Sequence, residues 1–190
     1  MPPVNSNAAQ AGRELVRLAA KGDAASVKAI YDEQVQYLSA VCRRYLQDED
    51  DVKDVLQESF VKIFSSLKRF EWKGEGSLRA WMKRIVVNES LMTLRRKSRR
   101  EMSGISDEIA EMREDEEPQT DGIPMSELLR MIRALPDGYR TVFNLYAIEG
   151  LSHKEIATLL GISEGASCSQ YSRAKSRLAG EIRKFRENGE

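Results

Sequence analysis

Residues 151–178 read LSHKEIATLLGISEGASCSQYSRAKSRL, and the middle of that stretch, GISEGASCSQYS at 161–172, has the composition of a flexible linker. Its neighbours contradict that impression. Ser152 can cap a short helix whose apolar side is Ile156, Leu159 and Leu160. Ala157 is small where two helices would have to cross closely. Gly161 falls where a left-handed turn residue is needed, a conformation glycine adopts at little steric cost. Ile162 plugs the turn, and Ser163 is a good N-cap for a second helix, predicted from about Glu164 to about Lys184. Small residue, glycine, apolar residue and cap in this register form the pattern of a helix-turn-helix.

On that helix the core-facing positions are Ser167, Tyr171, Ala174 and Leu178, while Cys168, Ser169, Ser172 and Arg173 project outward. Lys175, Ser176 and Arg177 extend the outer surface. Gly165 in the first turn costs up to about 1 kcal/mol against Ala, but lets the backbone approach a phosphate or groove wall. The same periodicity also fits a surface hairpin of two helices with no DNA role. The Ala157–Gly161–Ile162 register and the basic second half favour DNA.

Working outward, strand signals are weak and most segments show the i, i+3, i+4 recurrence of amphipathic helices. From Pro124, MSELLRMIRAL and GYRTVFNLYAIEG lead into the helix-turn-helix, giving a unit over 124–186. Upstream, a first helix is predicted over about Arg13–Lys21, with Leu15, Leu18 and Ala19 on one side. Asp23 caps a second, running to about Leu46, with Val27, Ile30, Tyr31, Leu38, Val41, Cys42 and Tyr45 on one stripe. Cys42 reads as a small core residue. A third covers about Asp51–Leu67, its apolar face Val52, Val55, Leu56, Phe60, Ile63, Phe64 and Leu67. Asp54, Gln57 and Glu58 fall away from that face, which by itself is only a solvated surface. After a two-glycine loop, Ser77 can cap a long fourth helix through about Arg100, with Leu78, Trp81, Met82, Ile85 and Val86 toward a core. The expected architecture is therefore all-α, two small helical domains over 12–100 and 124–186.

The connection, 101–123, is acidic and is treated as a flexible tether, with a weak helix possible around Ile105–Met112. The balance of 30 Lys and Arg against 30 Asp and Glu hides this segregation. LRRKSRR at 94–100 and RAKSRLAGEIRKFR at 173–186 are basic, whereas 101–122 has Arg113 as its only base. A net charge of zero is thus a cancellation between neighbours, and it leaves nucleic acid open as a partner. Cys42 and Cys168 lack a CxxC partner and His153 is the lone histidine, so no disulfide framework and no metal site is indicated. No signal peptide is expected from the N-terminal residues, and no apolar run approaches the roughly 20 residues of a membrane span. These features predict a cytoplasmic protein without membrane insertion. With no nucleophile–base pair, metal cluster or phosphate-cradling loop, neither catalysis nor a cofactor is expected.

Two motif sets are specific enough to carry a resemblance. DVKDVLQESFVKIFSSLKRF (51–70) followed by SLRAWMKRIVVNESLMTLRR (77–96) resembles region 2 of the extracytoplasmic-function (ECF, group 4) sigma factors of bacterial RNA polymerase. LPDGYRTVFNLYAIEGLSHKEIATLLGISEGASCSQYSRAKSRL (135–178) resembles their region 4. The resemblance covers about 12–185, in order, with no room for the further regions of housekeeping sigma factors. It implies that Asp54, Gln57 and Glu58 face the clamp helices of the polymerase β′ subunit, and that region 4 meets the β flap. It implies that the fourth helix reads the −10 element, with Asn88 contacting a flipped base held against the loop Lys73, Gly74, Glu75, Gly76 and Ser77. Arg84, Arg95 and Arg96 would then hold phosphates. In region 4, Ser169 and Arg173 match family positions that contact DNA, and the outward-facing Cys168 and Ser172, with Gly165, are expected to join them at the −35 element. Arg140, Ser152 and Lys154 are expected to face phosphate, Ser152 through the helix it starts. A cognate anti-sigma protein, in this family often membrane-anchored, is a further implied partner.

The chain also departs from the pattern. Many members carry a β-branched residue where Ser167 stands, and basic residues where Cys168 and Gln170 stand. Fewer charges there imply weaker non-specific attraction and an unusual −35 preference. An exposed redox sensor at Cys168 is the minor alternative, since no basic residue stands beside it in the sequence. Two rivals remain: a stand-alone helix-turn-helix regulator, and a sigma mimic that titrates an anti-sigma factor. The first leaves Asp54, Gln57, Glu58 and Asn88 unexplained.

Overall fold

The computed structural model describes residues 6–101 and 120–187. These hold eight α-helices and no strand, divided into two compact units between Arg96 and Lys97. The proposed helix at Ile105–Met112 lies outside the described residues.

In the first unit, α1 (Ser6–Ala20) starts well before the expected Arg13 and buries Val16 and Ala19, with Leu15 and Leu18 half-buried. Asp23 caps α2 (Ala24–Cys42) as expected, its carboxylate accepting the Ser26 amide at 2.8 Å. However, α2 ends at Cys42, not Leu46: a turn follows in which the Arg44 and Tyr45 amides donate to Val41 and Cys42 carbonyls at 3.1 and 3.0 Å. The cause is the acidic run that follows. Asp48 accepts the Asp50 amide at 2.8 Å and so starts α3 (Glu49–Ser66) early, with three acids in its first turn where the helix dipole favours them. Arg43 closes the corner with hydrogen bonds to Glu49 and Ser39.

Ile30, Leu38, Val41, Tyr45, Val52, Val55, Ile63 and Met82 are among the buried residues of this core. Cys42 joins them, with its sulfur 3.5 Å from the Ser90 hydroxyl, and burial pushes its thiol pKa up. Tyr31, predicted in the core stripe, is instead 42% exposed and rests its ring on Phe60 at 4.6 Å. A single 3₁₀ turn, Leu67–Arg69, ends α3 and leads into the loop before α4 (Ser77–Glu101).

In the second unit, α5 (Met125–Arg133), α6 (Asp137–Phe143), α7 (His153–Leu160) and α8 (Glu164–Glu187) surround a core of Met131, Ile132, Leu135, Ala174, Leu178 and Ile182. Helix α8 packs against the other three. Between α6 and α7 the chain makes a π-helical turn, Asn144–Ile148, closed by the Glu149 amide on the Asn144 carbonyl five residues back at 2.9 Å. Such turns are rare and concentrate at functional sites. Periodicity alone did not expose this one.

Candidate nucleic-acid and polymerase interface

The helix-turn-helix is built as its sequence requires. The Ser152 hydroxyl accepts the Glu155 amide at 3.3 Å, while the Glu155 carboxylate accepts the Ser152 amide at 2.9 Å and its hydroxyl at 2.7 Å. This capping box satisfies two helix-end donors, and the Ser152 bonds hold the Glu155 carboxyl below its ordinary 4.5. Gly161 ends α7 at φ 71°, in the left-handed region. The amides of Gly161 and Ile162 both donate to the Ala157 carbonyl, at 2.9 and 3.1 Å, which folds the turn back over Ala157. Ser163 caps α8 by accepting the Ala166 amide at 3.0 Å.

On α8, Gly165, Cys168 and Ser169 are exposed, whereas Ser172 and Arg173 are half-buried. A Cβ on Gly165 would meet no atom within 4 Å, so its outer surface is open to a groove wall. Lys154 and Ser152 are exposed at the N-terminus of α7, where free amides and the dipole favour an anion. Ser167 is fully buried, as its spacing predicts, and accepts or donates a 2.9 Å hydrogen bond with His153 Nδ1.

Arg140 requires a correction. Expected to meet phosphate, it is 1% exposed, among the most deeply buried large side chains of the chain. Its guanidinium donates to the Leu135 carbonyl at 2.8 Å, the Arg133 carbonyl at 3.3 Å and the Asp137 carboxylate at 2.7 Å. It therefore caps the C-terminal carbonyls of α5 from within α6, where a cation also suits the helix dipole. A side chain so enclosed does not reach DNA.

In the first unit, Asp54, Gln57 and Glu58 are exposed on α3, on the face opposite Val52, Val55 and Ile63. Their i, i+3, i+4 spacing continues to Val61, which is 65% exposed. An apolar side chain set into a polar stripe was not singled out from the sequence; the exposed i+7 position was the available signal. The loop before α4 contains Gly74 at φ 120° and Gly76 at φ 80°, conformations closed to most side chains. Its start is held by Phe70 against Trp81, ring centres 5.1 Å apart, and Trp72 lies against α1, where Gly12 leaves it room. A Cβ at Gly12 would sit 2.8 Å from that ring.

Ser77 also needs correcting. It is the first residue of α4, not its cap: the Ala80 amide reaches the Gly76 carbonyl at 3.0 Å. The Ser77 hydroxyl turns back, donating to the Gly74 carbonyl at 2.6 Å and accepting the Lys73 amide at 3.3 Å, so it ties the loop together. Lys73 and Glu75 stand exposed on that loop.

Along α4, Arg84, Asn88, Arg95 and Arg96 are all exposed. Beside Asn88, Glu89 is buried and pairs with Lys62 of α3 at 2.5 Å, which fixes the rotation of α4 against α3. Arg79 anchors the first turn of α4 to α2, donating to Gln34 at 3.0 Å and lying 5.0 Å from the Tyr37 ring centre. Neither brace was legible, because each joins residues far apart in the chain. Among the described residues no group of three or more His, Cys, Asp or Glu could hold a metal ion, and no helix is long and apolar enough to cross a membrane.

Two family descriptions match this chain: Sigma-70 region 2 over residues 30–100 and Sigma-70, region 4 over residues 125–178. An ECF RNA polymerase sigma factor, SigE of Mycolicibacterium smegmatis, is 30% identical over 84% of this chain, which spans 63% of that relative's length. The ECF RNA polymerase sigma-E factor of Haemophilus influenzae is 29% identical over 88% of this chain and 93% of its own. Among solved structures, CnrH in complex with the cytosolic domain of CnrY is 26% identical, covering 90% of this chain and 97% of that one, with a TM-score of 0.49. The sigma factor RpoE of Bartonella quintana, solved with the anti-sigma factor NepR, is 23% identical over 83% of this chain and 98% of that one, with a TM-score of 0.47.

Proposed function

We propose, from the premise that this chain belongs to the ECF RNA polymerase sigma factors, a division of labour among its exposed faces. The protein binds core RNA polymerase and directs it to specific promoters, with −10 reading in the first unit and −35 reading in the second. The observation that carries this is the pairing of two sigma-70 regions, in order, one in each compact unit. A stand-alone regulator would need only the second.

In this reading the α3 stripe Asp54, Gln57, Glu58 and Val61 docks on the β′ clamp helices, and the second unit meets the β flap. Asn88 offers both donor and acceptor to a base edge. Flipping a base costs a few kcal/mol, which a pocket formed with the Lys73–Ser77 loop offsets. Arg84, Arg95 and Arg96 hold phosphates and make binding salt-sensitive. Gly165, Cys168, Ser169, Ser172 and Arg173 face the −35 groove, with Ser152 and Lys154 toward the backbone. Joining two modest contacts through 101–123 raises the effective concentration of the second once the first has formed. The finer assignment to group 4, a cytoplasmic site of action, a non-catalytic mechanism and control by a cognate anti-sigma protein belong to the same proposal and rest on the resemblance.

Reconstituted transcription tests it. Core polymerase plus this protein should give transcripts that depend on both promoter elements. Polymerase binding without transcripts would favour a sigma mimic, and promoter binding that ignores polymerase would favour a stand-alone regulator.

A further inference from the structure

The contact between α7 and α8 contains a polar pair where helix-turn-helix crossings are usually apolar. Ser167 is fully buried on the inner face of α8, yet its hydroxyl is shared with His153 Nδ1 at 2.9 Å. His153 is the first residue of α7, fixed by the capping box around Ser152. Its ring is stacked on Tyr146, centroids 4.3 Å apart and planes 14° apart, and lies 5.8 Å from Tyr171 of α8. Tyr146 in turn reaches Tyr171 at 4.5 Å, presented there by the π-helical turn.

An apolar crossing tolerates small rotations of one helix over the other, because dispersion contacts are non-directional. A buried hydrogen bond does not, since its strength falls steeply with angle. Ser167 is flanked in sequence by the exposed Cys168 and Ser169, so any rotation of α8 that broke the bond would swing both. We infer that the His153–Ser167 pair is a clasp that fixes the azimuth at which α8 is presented to DNA, making both side chains positioning residues for −35 specificity. Both act through the orientation of α8 rather than by contacting DNA themselves. The inference rests on the reading of α8 as the −35 helix and supplies what that reading lacks: a reason why Ser167 can stand where an apolar residue is usual. A recognition face on which Arg173 is the one charge beside Gly165, Cys168, Ser169 and Ser172 has few long-range attractions to guide it, so its selectivity depends on accurate placement.

The test uses the full-length protein with core polymerase, on a promoter selected by the wild-type holoenzyme from a library randomised at −35. The readout is the ratio of transcription on that promoter to transcription on one with the −35 element scrambled. His153→Phe keeps the ring stack and removes Nδ1. Ser167→Val and Ser167→Thr have nearly equal volume and differ in the hydroxyl. His153→Phe and Ser167→Val should each lower the ratio roughly tenfold, with the double variant falling little further, as for a coupled pair. Ser167→Thr should stay within about twofold of wild type. Loss of stability alone depresses both promoters together and leaves the ratio intact. An unchanged ratio in His153→Phe, or Thr and Val falling alike, overturns the clasp. If the Ser167 variants do not fold, His153→Phe decides alone, because it leaves the buried α8 position untouched. A wild-type holoenzyme indifferent to the −35 element would overturn the reading of α8 itself, and the clasp with it; −35 dependence with unchanged variants overturns only the clasp.

Discussion

Replacing Arg140 by Met separates a structural arginine from a DNA contact. Met keeps much of the aliphatic volume but removes every donor, leaving the Leu135 and Arg133 carbonyls at the end of α5 without the guanidinium. Stranding a buried acceptor costs about 1–3 kcal/mol. The Leu135 bond, at 2.8 Å and buried, should stand near the upper part of that range, and the longer Arg133 bond near the lower. The Asp137 partner is 61% exposed, so that ion pair adds little. The total is about 2–4 kcal/mol. A unit of this size has about 3–9 kcal/mol in all, and at about 4–8 °C per kcal/mol its melting temperature should fall by roughly 8–32 °C. The chain offers a convenient internal control: its two tryptophans, Trp72 and Trp81, both lie in the first unit. In Arg140→Met the tryptophan fluorescence melt should stay put while a component of the helical circular dichroism melt moves down. Arg140→Lys should lose most of the same stability, because an ammonium lacks the planar fork that serves the two carbonyls from Nη1 and the Asp137 carboxylate from Nη2. An unshifted dichroism melt, combined with promoter affinity whose salt dependence drops by about one phosphate's worth, would refute the buried role and restore the phosphate contact.

Other expectations follow from neighbouring features. Val61→Asp on α3 should weaken binding to core polymerase at least about tenfold, in a fluorescence titration, while leaving the melting temperature within a degree or two, since the side chain is exposed. Equal affinity would remove Val61 from the docking face. Ser152→Ala should cost about 1 kcal/mol by removing the cap of α7. The partner residue sets a pH dependence. Because the folded Glu155 carboxyl lies below its ordinary 4.5, its contribution is complete above that value and is lost as pH falls through the folded one. Glu155→Gln should therefore flatten the acid side of the second unit's stability profile, and an unaltered profile would count against the box. With a thiol reagent under native conditions only Cys168 should react, Cys42 being buried with its pKa raised; two fast equivalents would contradict that core. Finally, residues 106–118 carry seven acids against one base, Arg113. Deleting them should tighten DNA binding in the absence of polymerase, measured by anisotropy, and an unchanged affinity would exclude electrostatic restraint by the linker.

Most of the helix-turn-helix was legible because its signals are local. Ser152, Gly161 and Ser163 each act on amides or dihedrals within about four positions, so cap, turn and cap can be read from neighbours alone. Helix ends were less secure where two signals competed, as at 43–49, where periodicity favoured continuation and the Asp48 cap favoured a restart. Outward positions such as Asp54, Gln57, Glu58, Asn88 and Cys168 were also readable, because a polar residue opposite an apolar stripe has only solvent to face.

The partners of buried polar groups were not readable in the same way: spacing turned Ser167 inward without showing His153, and it showed neither the burial of Arg140 nor that of Glu89. Periodicity places Arg140, Glu89 and Ser167 on a helix but is silent about what waits across the gap. Lys62 lies 27 positions from Glu89, and His153 lies 14 from Ser167. Arg140 looked like a phosphate contact because arginines in a DNA-binding unit are usually exposed; the carbonyls at the end of α5 are visible only once α6 has folded against them. A polar side chain leaves water only when a specific partner is delivered to it, and that delivery is a property of packing between helices. Apolar pattern and turn chemistry, which act within one helix or one turn, were written in the order of residues. Which charged and hydroxyl groups became internal braces was settled by the helices meeting.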